Sequence, residues 1–321
     1  MAQQTIRTEH NPARGEHLVP CPLCGGTDLR RVVSHAADYE YGLPGDFFVS
    51  QCRSCGLLSQ NPRPDFSDIL RYYTDAYEPY RTVGSSLIQT IRDAVLVKPR
   101  VARCIKRIGE HGAVLDVGCS TGEWLHTLAR FTQYDLYGVE PVEHAARLAR
   151  ESGLRVHTGL LEQGPWPDES FDLLTMNHVL EHVPDPMTVV EKSLSLLRPA
   201  GWLMGELPCA QCAERLVFGK YWQGYHLPRH ITWFTPATLS AFLKKTGFRA
   251  VSISLQPQPS SWQISLRNRL FGKNPRGRTS TLLSGHNTMM QILTLPVSLA
   301  LFAAGMAPIL RFAAQKPESR P

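Results

Sequence analysis

From about residue 110 onward, apolar and polar positions follow the rhythm of an α/β chain. Val114, Leu115 and Val117 make a short apolar run around Asp116, and Gly118 ends it. Residues 123–130 then read as a helix. That order predicts a buried strand, a tight glycine turn and a helix N-terminus. The unit recurs. Residues 135–141 read as a second strand ending at Glu140-Pro141, residues 155–159 as a short third, and residues 171–177 as a fourth, entered through the turn Pro167-Asp168-Glu169-Ser170. A fifth strand lies within residues 196–208 and a sixth over residues 251–255, after a helix opened by Pro236 and closed by Gly247-Phe248. Alternation of this kind predicts an α/β fold with a mostly parallel sheet.

The front of the chain has another character. Its first 19 residues are polar. Two C-x-x-C-G knuckles follow, Cys21 and Cys24, then Cys52 and Cys55. Each knuckle places two thiolates on one turn, and together they predict a closed tetrahedral zinc site of ribbon type. A closed site leaves no coordination position for substrate, so this Zn2+ is expected to be structural. Tyr39, Tyr41, Phe47 and Phe48 between the knuckles supply apolar bulk. A third pair, Cys209 and Cys212, has no partner pair nearby and reads as incidental thiols, with a redox couple as the rival.

Composition narrows the field. An apolar fraction of 43% over 321 residues suits a globular protein, and the net charge of +6 comes largely from arginines and lysines near the two ends. Without a dense basic-aromatic stripe, nucleic acid is not the expected partner. No charged leader with an apolar run opens the chain, which points to a cytoplasmic protein.

The glycine turn carries Asp116, Gly118, Cys119, Ser120 and Gly122. A dinucleotide fold wants G-x-G-x-x-G with no acid at the turn, and a pyrophosphate would sit poorly beside Asp116. Glu140, at the next strand tip, is placed to accept two ribose hydroxyls. Asp116-x-Gly118-x-Ser120-x-Gly122 resembles motif I of the class I S-adenosylmethionine (SAM) methyltransferases, with Ser120 where a third glycine is common. Glu140-Pro141, Phe171-Asp172, Glu181-His182-Val183-Pro184-Asp185-Pro186 and Leu196–Pro208 continue the likeness in order. Asn61-Pro62-Arg63-Pro64 and the tyrosines from Tyr72 to Tyr80 resemble the bacterial zinc-ribbon members, methyltransferase types 23 and 11. The resemblance implies a Rossmann-like seven-stranded sheet, SAM as cofactor, and cofactor contacts from Asp116, Gly118, Cys119, Ser120, Gly122, Glu140, Pro141, Leu161, Asn177 and His178. It also implies that residues 308–316 are the last strand, paired with the sixth. The expected division is a polar N-terminus (1–19), zinc ribbon (20–62), aromatic connector and helix (63–109), SAM-binding core (110–261), helical insertion (262–305), and last strand with tail (306–321).

Methyl transfer asks for alignment more than for acids and bases, because SAM carries its own activation. An oxygen or carbon acceptor still needs a base, and His230 leads the candidates, ahead of His226 and His182, with Tyr77 and Tyr80 as phenols over the site. The competing reading makes His230 a buried residue shaping its loop, the tyrosines glue for the ribbon, and Glu181 an orienting group for His182. Arg229 is read as a clamp for an anionic substrate. The expected acceptor is a small molecule, saccharide or lipid-linked intermediate of secondary metabolism. The alternative is a non-catalytic zinc-ribbon scaffold or nucleic-acid adaptor on a degenerate methyltransferase domain.

The insertion at 262–305 is unusual. Residues 262–270 read as a basic amphipathic helix, and residues 289–304 as an apolar one. Sixteen helical residues span about 24 Å, short of the roughly 30 Å of a bilayer core, and Pro296 kinks them. The pair is expected either to dip into a membrane surface, peripheral on its inner face, or to pack on the sheet or in a homodimer contact.

Overall fold

The computed structural model describes residues 16–73, 97–273, 283, 285 and 287–318. Tyr77, Tyr80 and the expected helix before residue 97 lie outside the described residues.

The front module contains β1 (Glu16–His17), β2 (Leu29–Ala36), β3 (Phe47–Cys52), β4 (Leu58–Gln60), β5 (Arg63–Pro64) and the short helix α1 (Phe66–Leu70). Each knuckle is a tight turn: the Gly25 amide donates to Cys21 O and the Gly56 amide to Cys52 O. Gly25 and Gly56 take φ of 74° and 81°, a region that side chains disfavour. β2, β3 and β4 pair antiparallel in sequence.

The main domain begins with α2 (Lys98–Ile108) and runs β6 (His111–Val117), α3 (Glu123–Phe131), β7 (Gln133–Glu140), α4 (Glu143–Glu151), β8 (Arg155–Thr158), β9 (Phe171–Asn177), α5 (Pro186–Leu196), β10 (Leu197–Pro208) and α6 (Ala213–Phe218). It closes with β11 (Thr232–Trp233), α7 (Pro236–Lys245), β12 (Arg249–Gln256), α8 (Pro259–Phe271), α9 (Thr288–Ala303) and β13 (Ile309–Gln315). Seven strands form one mixed sheet in the order β12-β13-β10-β9-β6-β7-β8. β6 to β10 are parallel, while β13 runs antiparallel to both β10 and β12. This is the Rossmann-like seven-stranded sheet that the resemblance implies, with the helical insertion just before the last strand. Val114, Leu115, Leu173, Leu174 and Leu203 are fully buried at its centre. Helix starts are set locally: the Asp185 carboxylate accepts from the Met187 and Thr188 amides, with Pro186 at the first turn of α5.

The front module is fused to the main domain. β11 adds to the edge of β4, so a strand from the main domain completes the module's sheet. Lys245 Nζ donates to Leu23 O at 2.6 Å and Arg63 to Pro184 O at 3.0 Å. Arg229 and Asp38, both buried, pair at 2.9 Å across the junction. Pairing and hydrogen bonding make the burial of these charges tolerable.

α8 differs from its expected amphipathic reading. Its buried residues are Ser261, Gln263, Ser265 and Asn268, while Leu266 and Leu270 face outward. The polar face turns inward because it has partners there: Ser265 Oγ accepts from the Gln223 amide, Asn268 donates to Tyr221 O, and Gln263 donates to Thr294 of α9. α9 leaves Met289, Ile292, Leu293, Val297, Leu299 and Phe302 exposed. No helix among the described residues is long and apolar enough to cross a membrane.

Candidate active site and thiol cluster

A cavity of about 490 Å³ opens at the C-terminal ends of the parallel strands, where ligands of such sheets bind. One half is walled by the tips of β6, β7 and β9. Gly118, Ser120, Glu140, Pro141, Leu161, Asn177 and His178 line it. Gly118 has φ 66°, and a Cβ there would stand 2.7 Å from a Val179 methyl, so the close turn requires glycine. Glu140 is buried and held at both oxygens: Oε2 accepts from the Ser120 amide at 3.0 Å and Oε1 from the Val142 amide at 2.9 Å. Burial raises its pKa against those two donors.

Asp116, Cys119 and Gly122, expected around the cofactor, are not part of the cavity wall. Asp116 lies beneath the turn and accepts from Thr175 Oγ1 at 2.6 Å. Burial lifts its pKa to about 7, although Thr175 and Arg100 pull it down. Cys119 packs under Gly138, where a Cβ would meet its sulfur at 2.6 Å. Gly122 caps α3 in a left-handed conformation, and a side chain there would collide with Leu154. The sequence motif thus mixes residues that face the cavity with residues that shape its floor.

The donor set suits SAM. A strand-tip carboxylate faces the crevice, a second lies beneath it, and the close-packed turn lets backbone approach a ligand. Asn177 Nδ2 has no hydrogen-bond partner among the described residues, which leaves a donor for the cofactor or its neighbour. Neither carboxylate suits a pyrophosphate.

The other half of the cavity is assembled from distant segments. Phe66, Leu70 and Tyr73 come from the front, His182 from the turn after β9, Trp222, Gln223, Gly224, His226 and His230 from the loop before β11, and Gln258 and Ser261 from the start of α8. The three imidazoles stack closely: His182 and His230 are 4.4 Å apart edge-on, and His226 and His230 are 5.0 Å apart face to face. His230 Nδ1 is 2.9 Å from Gly224 O. Burial first, then His182 and His226, pushes the His230 pKa well below its usual value. His182 Nδ1 is 2.8 Å from the Tyr73 hydroxyl and 3.1 Å from Arg229 O, and burial lowers its pKa to about 4.

His226 has a different partner. Its Nδ1 lies 2.9 Å from Oε2 of Glu40, contributed by the front module. Burial alone would raise the Glu40 carboxyl; His226, with Arg267 and Arg229 behind it, outweighs that and holds it at about 2. Glu40 and Tyr73 were not singled out in the sequence. Tyr73 stands inside the aromatic connector, a usable signal; Glu40 has none. Arg229 is not the expected substrate clamp. It is wholly buried, its guanidinium is committed to Asp38, and its Nε donates to Tyr72 O.

The Sγ atoms of Cys21, Cys24, Cys52 and Cys55 lie within 4.8 Å of one another, a geometry that can hold a metal ion. Cys209 and Cys212 are buried, and burial raises both thiol pKa values, to about 11 for Cys209. Protonated, buried thiols fit the incidental reading.

Comparison with known proteins places the chain. A family model described as a methyltransferase domain, type 23, matches residues 89–253, half of the chain. The chain belongs to this family, and its fold is that of the class I SAM methyltransferases. Among curated relatives it resembles a ubiquinone biosynthesis O-methyltransferase of Actinobacillus pleuropneumoniae, 36% identical over 28% of this chain and 43% of the relative. One from Xanthomonas euvesicatoria is 32% identical over 44% of this chain and 64% of the relative. The chain therefore spans less than two thirds of the length of these relatives. Among solved structures, phosphoethanolamine N-methyltransferase 2 of Haemonchus contortus aligns with TM-score 0.52 at 16% identity, over 90% of this chain and 69% of that one. A possible histamine N-methyltransferase of Thermotoga maritima aligns with TM-score 0.50 at 19% identity, over 78% and 99%. At these identities the structures speak for the fold alone.

Proposed function

We propose that the protein transfers the methyl group of SAM to an oxygen or carbon of a small molecule, with His226 as the general base. The observation that carries this reading is the single cavity in which a Glu140-tipped cofactor crevice meets an imidazole braced by a carboxylate. Glu140, Ser120, Gly118, Asn177 and His178 are the residues assigned to SAM. SAM, when bound, supplies the electrophilic methyl. A carboxylate on Nδ1 fixes the His226 tautomer and stabilises the imidazolium formed when Nε2 takes a proton. His230 suits this role less well than the sequence suggested, since burial keeps it a weak base. The four cysteines are assigned to a structural Zn2+, which braces the module that delivers Glu40.

The printed names of the relatives favour oxygen as acceptor. The exposed apolar surface of α9, packed against the helix that supplies Ser261, favours a lipid-linked or apolar acceptor. His226→Ala is expected to lower turnover about 10²–10⁴-fold with affinity for S-adenosylhomocysteine (SAH) unchanged, measured with methyl-labelled SAM on cell extract and mass analysis of the product. Label found only in protein or nucleic acid would overturn the small-molecule reading. For the lipid arm, the purified protein should float with anionic vesicles, and replacing Ile292, Leu293 and Phe302 by Ser should abolish this. Loss of a dimer by the same variant, without flotation of the original, would make the face a subunit contact instead.

A further inference from the structure

We propose that Glu181, His182 and His230 form a second metal site, holding one divalent first-row cation whose open coordination positions face the acceptor. Their ligand atoms lie within 4.8 Å of one another, and His230 Nε2 is 3.9 Å from Glu181 Oε1. Ligands on one cation at bond lengths of about 2.1 Å lie roughly 3–3.5 Å apart, so a contraction of about an ångström closes the set.

Three further features are those of a built site. The Glu181 side chain is fully buried, with one oxygen 3.1 Å from His178 Nδ1 and the other without a hydrogen-bond partner among the described residues. A buried carboxylate oxygen left unpaired is costly, and a cation would satisfy it. Next, Gly224 O can only accept, so His230 carries its proton on Nδ1 and presents the Nε2 lone pair toward Glu181. A backbone carbonyl on the far nitrogen is the usual support for a metal-bound imidazole. His182 Nδ1 meets both the Tyr73 hydroxyl at 2.8 Å and the Arg229 carbonyl at 3.1 Å, and a proton donated from Nδ1 to that carbonyl leaves Nε2 for the ion. Finally, the loop is pinned in place: the Ile231 and Thr232 amides both donate to Glu181 O, at 2.7 and 3.2 Å. His182 and His230 line the cavity, with Glu181 behind them.

Two imidazoles and one carboxylate favour Mn2+, Fe2+, Co2+ or Zn2+ and differ in kind from the thiolate cluster. The role of the ion rests on the methyl-transfer reading. Bound to the acceptor hydroxyl it would lower that group's pKa; the O–H proton passes to His226, the oxygen bonds the methyl carbon, and the C–S pair returns to sulfur, leaving neutral SAH.

Titration calorimetry of protein whose cysteines already carry zinc, with Mn2+ and separately with Co2+, should show one additional equivalent. Pulsed EPR of the Mn2+ form should detect coupled imidazole nitrogen. Glu181→Gln should weaken Mn2+ at least about tenfold while SAH binding, the control for folding, is kept. No additional equivalent with either metal, or bound Mn2+ without imidazole coupling, overturns the site, and the EPR arm needs no variant to fold. Full turnover after chelation, with the cysteine zinc retained, removes the catalytic role. Metal binding without any methyl transfer would leave the site standing and overturn the function instead.

Discussion

The two halves of the cavity are built on different principles. The cofactor half is local: β6, β7 and β9 end side by side, and each contributes the few residues at its tip. Its charges, Asp116 and Glu140, are held by neighbours in the same sheet and turn. The acceptor half is remote: Glu40 and His226 meet where the front module docks on the main domain, through the pairing of β11 with β4 and the buried Arg229–Asp38 pair. On the proposed reading, cofactor binding rests on the sheet and its turns, while acceptor chemistry also rests on a joint between two modules.

That contrast can be broken first at the joint. Arg229→Ala leaves Asp38 buried without its partner, which costs about 3–5 kcal/mol. Chemical denaturation should show this loss, with turnover falling further than SAH affinity in the protein that remains folded. Equal loss of both would mean the halves are not separable. The converse test is Glu140→Ala. Removing a carboxylate placed to accept ribose hydroxyls should weaken SAH about 10–100-fold, the scale of one or two charge-assisted hydrogen bonds. The melting temperature should fall as well, because the Ser120 and Val142 amides lose their acceptor, so affinity is measured where the variant is folded; unaltered SAH affinity would detach Glu140 from the cofactor.

The third test is of pH dependence. Folding raises the Asp116 pKa from 3.8 to about 7, so the folded state binds this proton more tightly than the unfolded chain does. The stabilisation is complete below about pH 4 and is lost as pH rises through about 7. Asp116→Asn removes that slope. Without cofactor, the variant should melt above the original protein at pH 8, with the difference narrowing at pH 5 and closing below about pH 4. A difference independent of pH would assign the effect to packing.

These two constructions also explain what could be read from the chain. Val114 to Gly122 spells strand, turn and helix within one short stretch, and Glu140 closes the next unit, so the sheet and its crevice were legible from periodicity and turn chemistry. The thiol cluster was legible because each knuckle is a local turn. Glu40 carried no signal, because its partner is set by β11, only two residues long and too short for any alternation to show. Arg229 was misread since a loop arginine ordinarily faces solvent, and the Asp38 that neutralises it lies far away in the chain. α8 was misread for a related reason: its inward polar face is satisfied by Tyr221, Gln223 and Thr294, none of which its own periodicity reveals.

The pairing of β4 with β11 bears on how the chain is made. During synthesis β4 emerges roughly 170 residues before the strand that covers its edge. At about 5–20 residues per second, the nascent ribbon waits roughly 10–30 s with an unpaired strand edge, the kind of surface that invites association with other chains. Metal capture by the knuckles, complete once Cys55 has left the ribosome, would hold the hairpin in shape through that interval. If the knuckles hold a metal as proposed, a cell short of it would leave that edge unsupported in chains still being made.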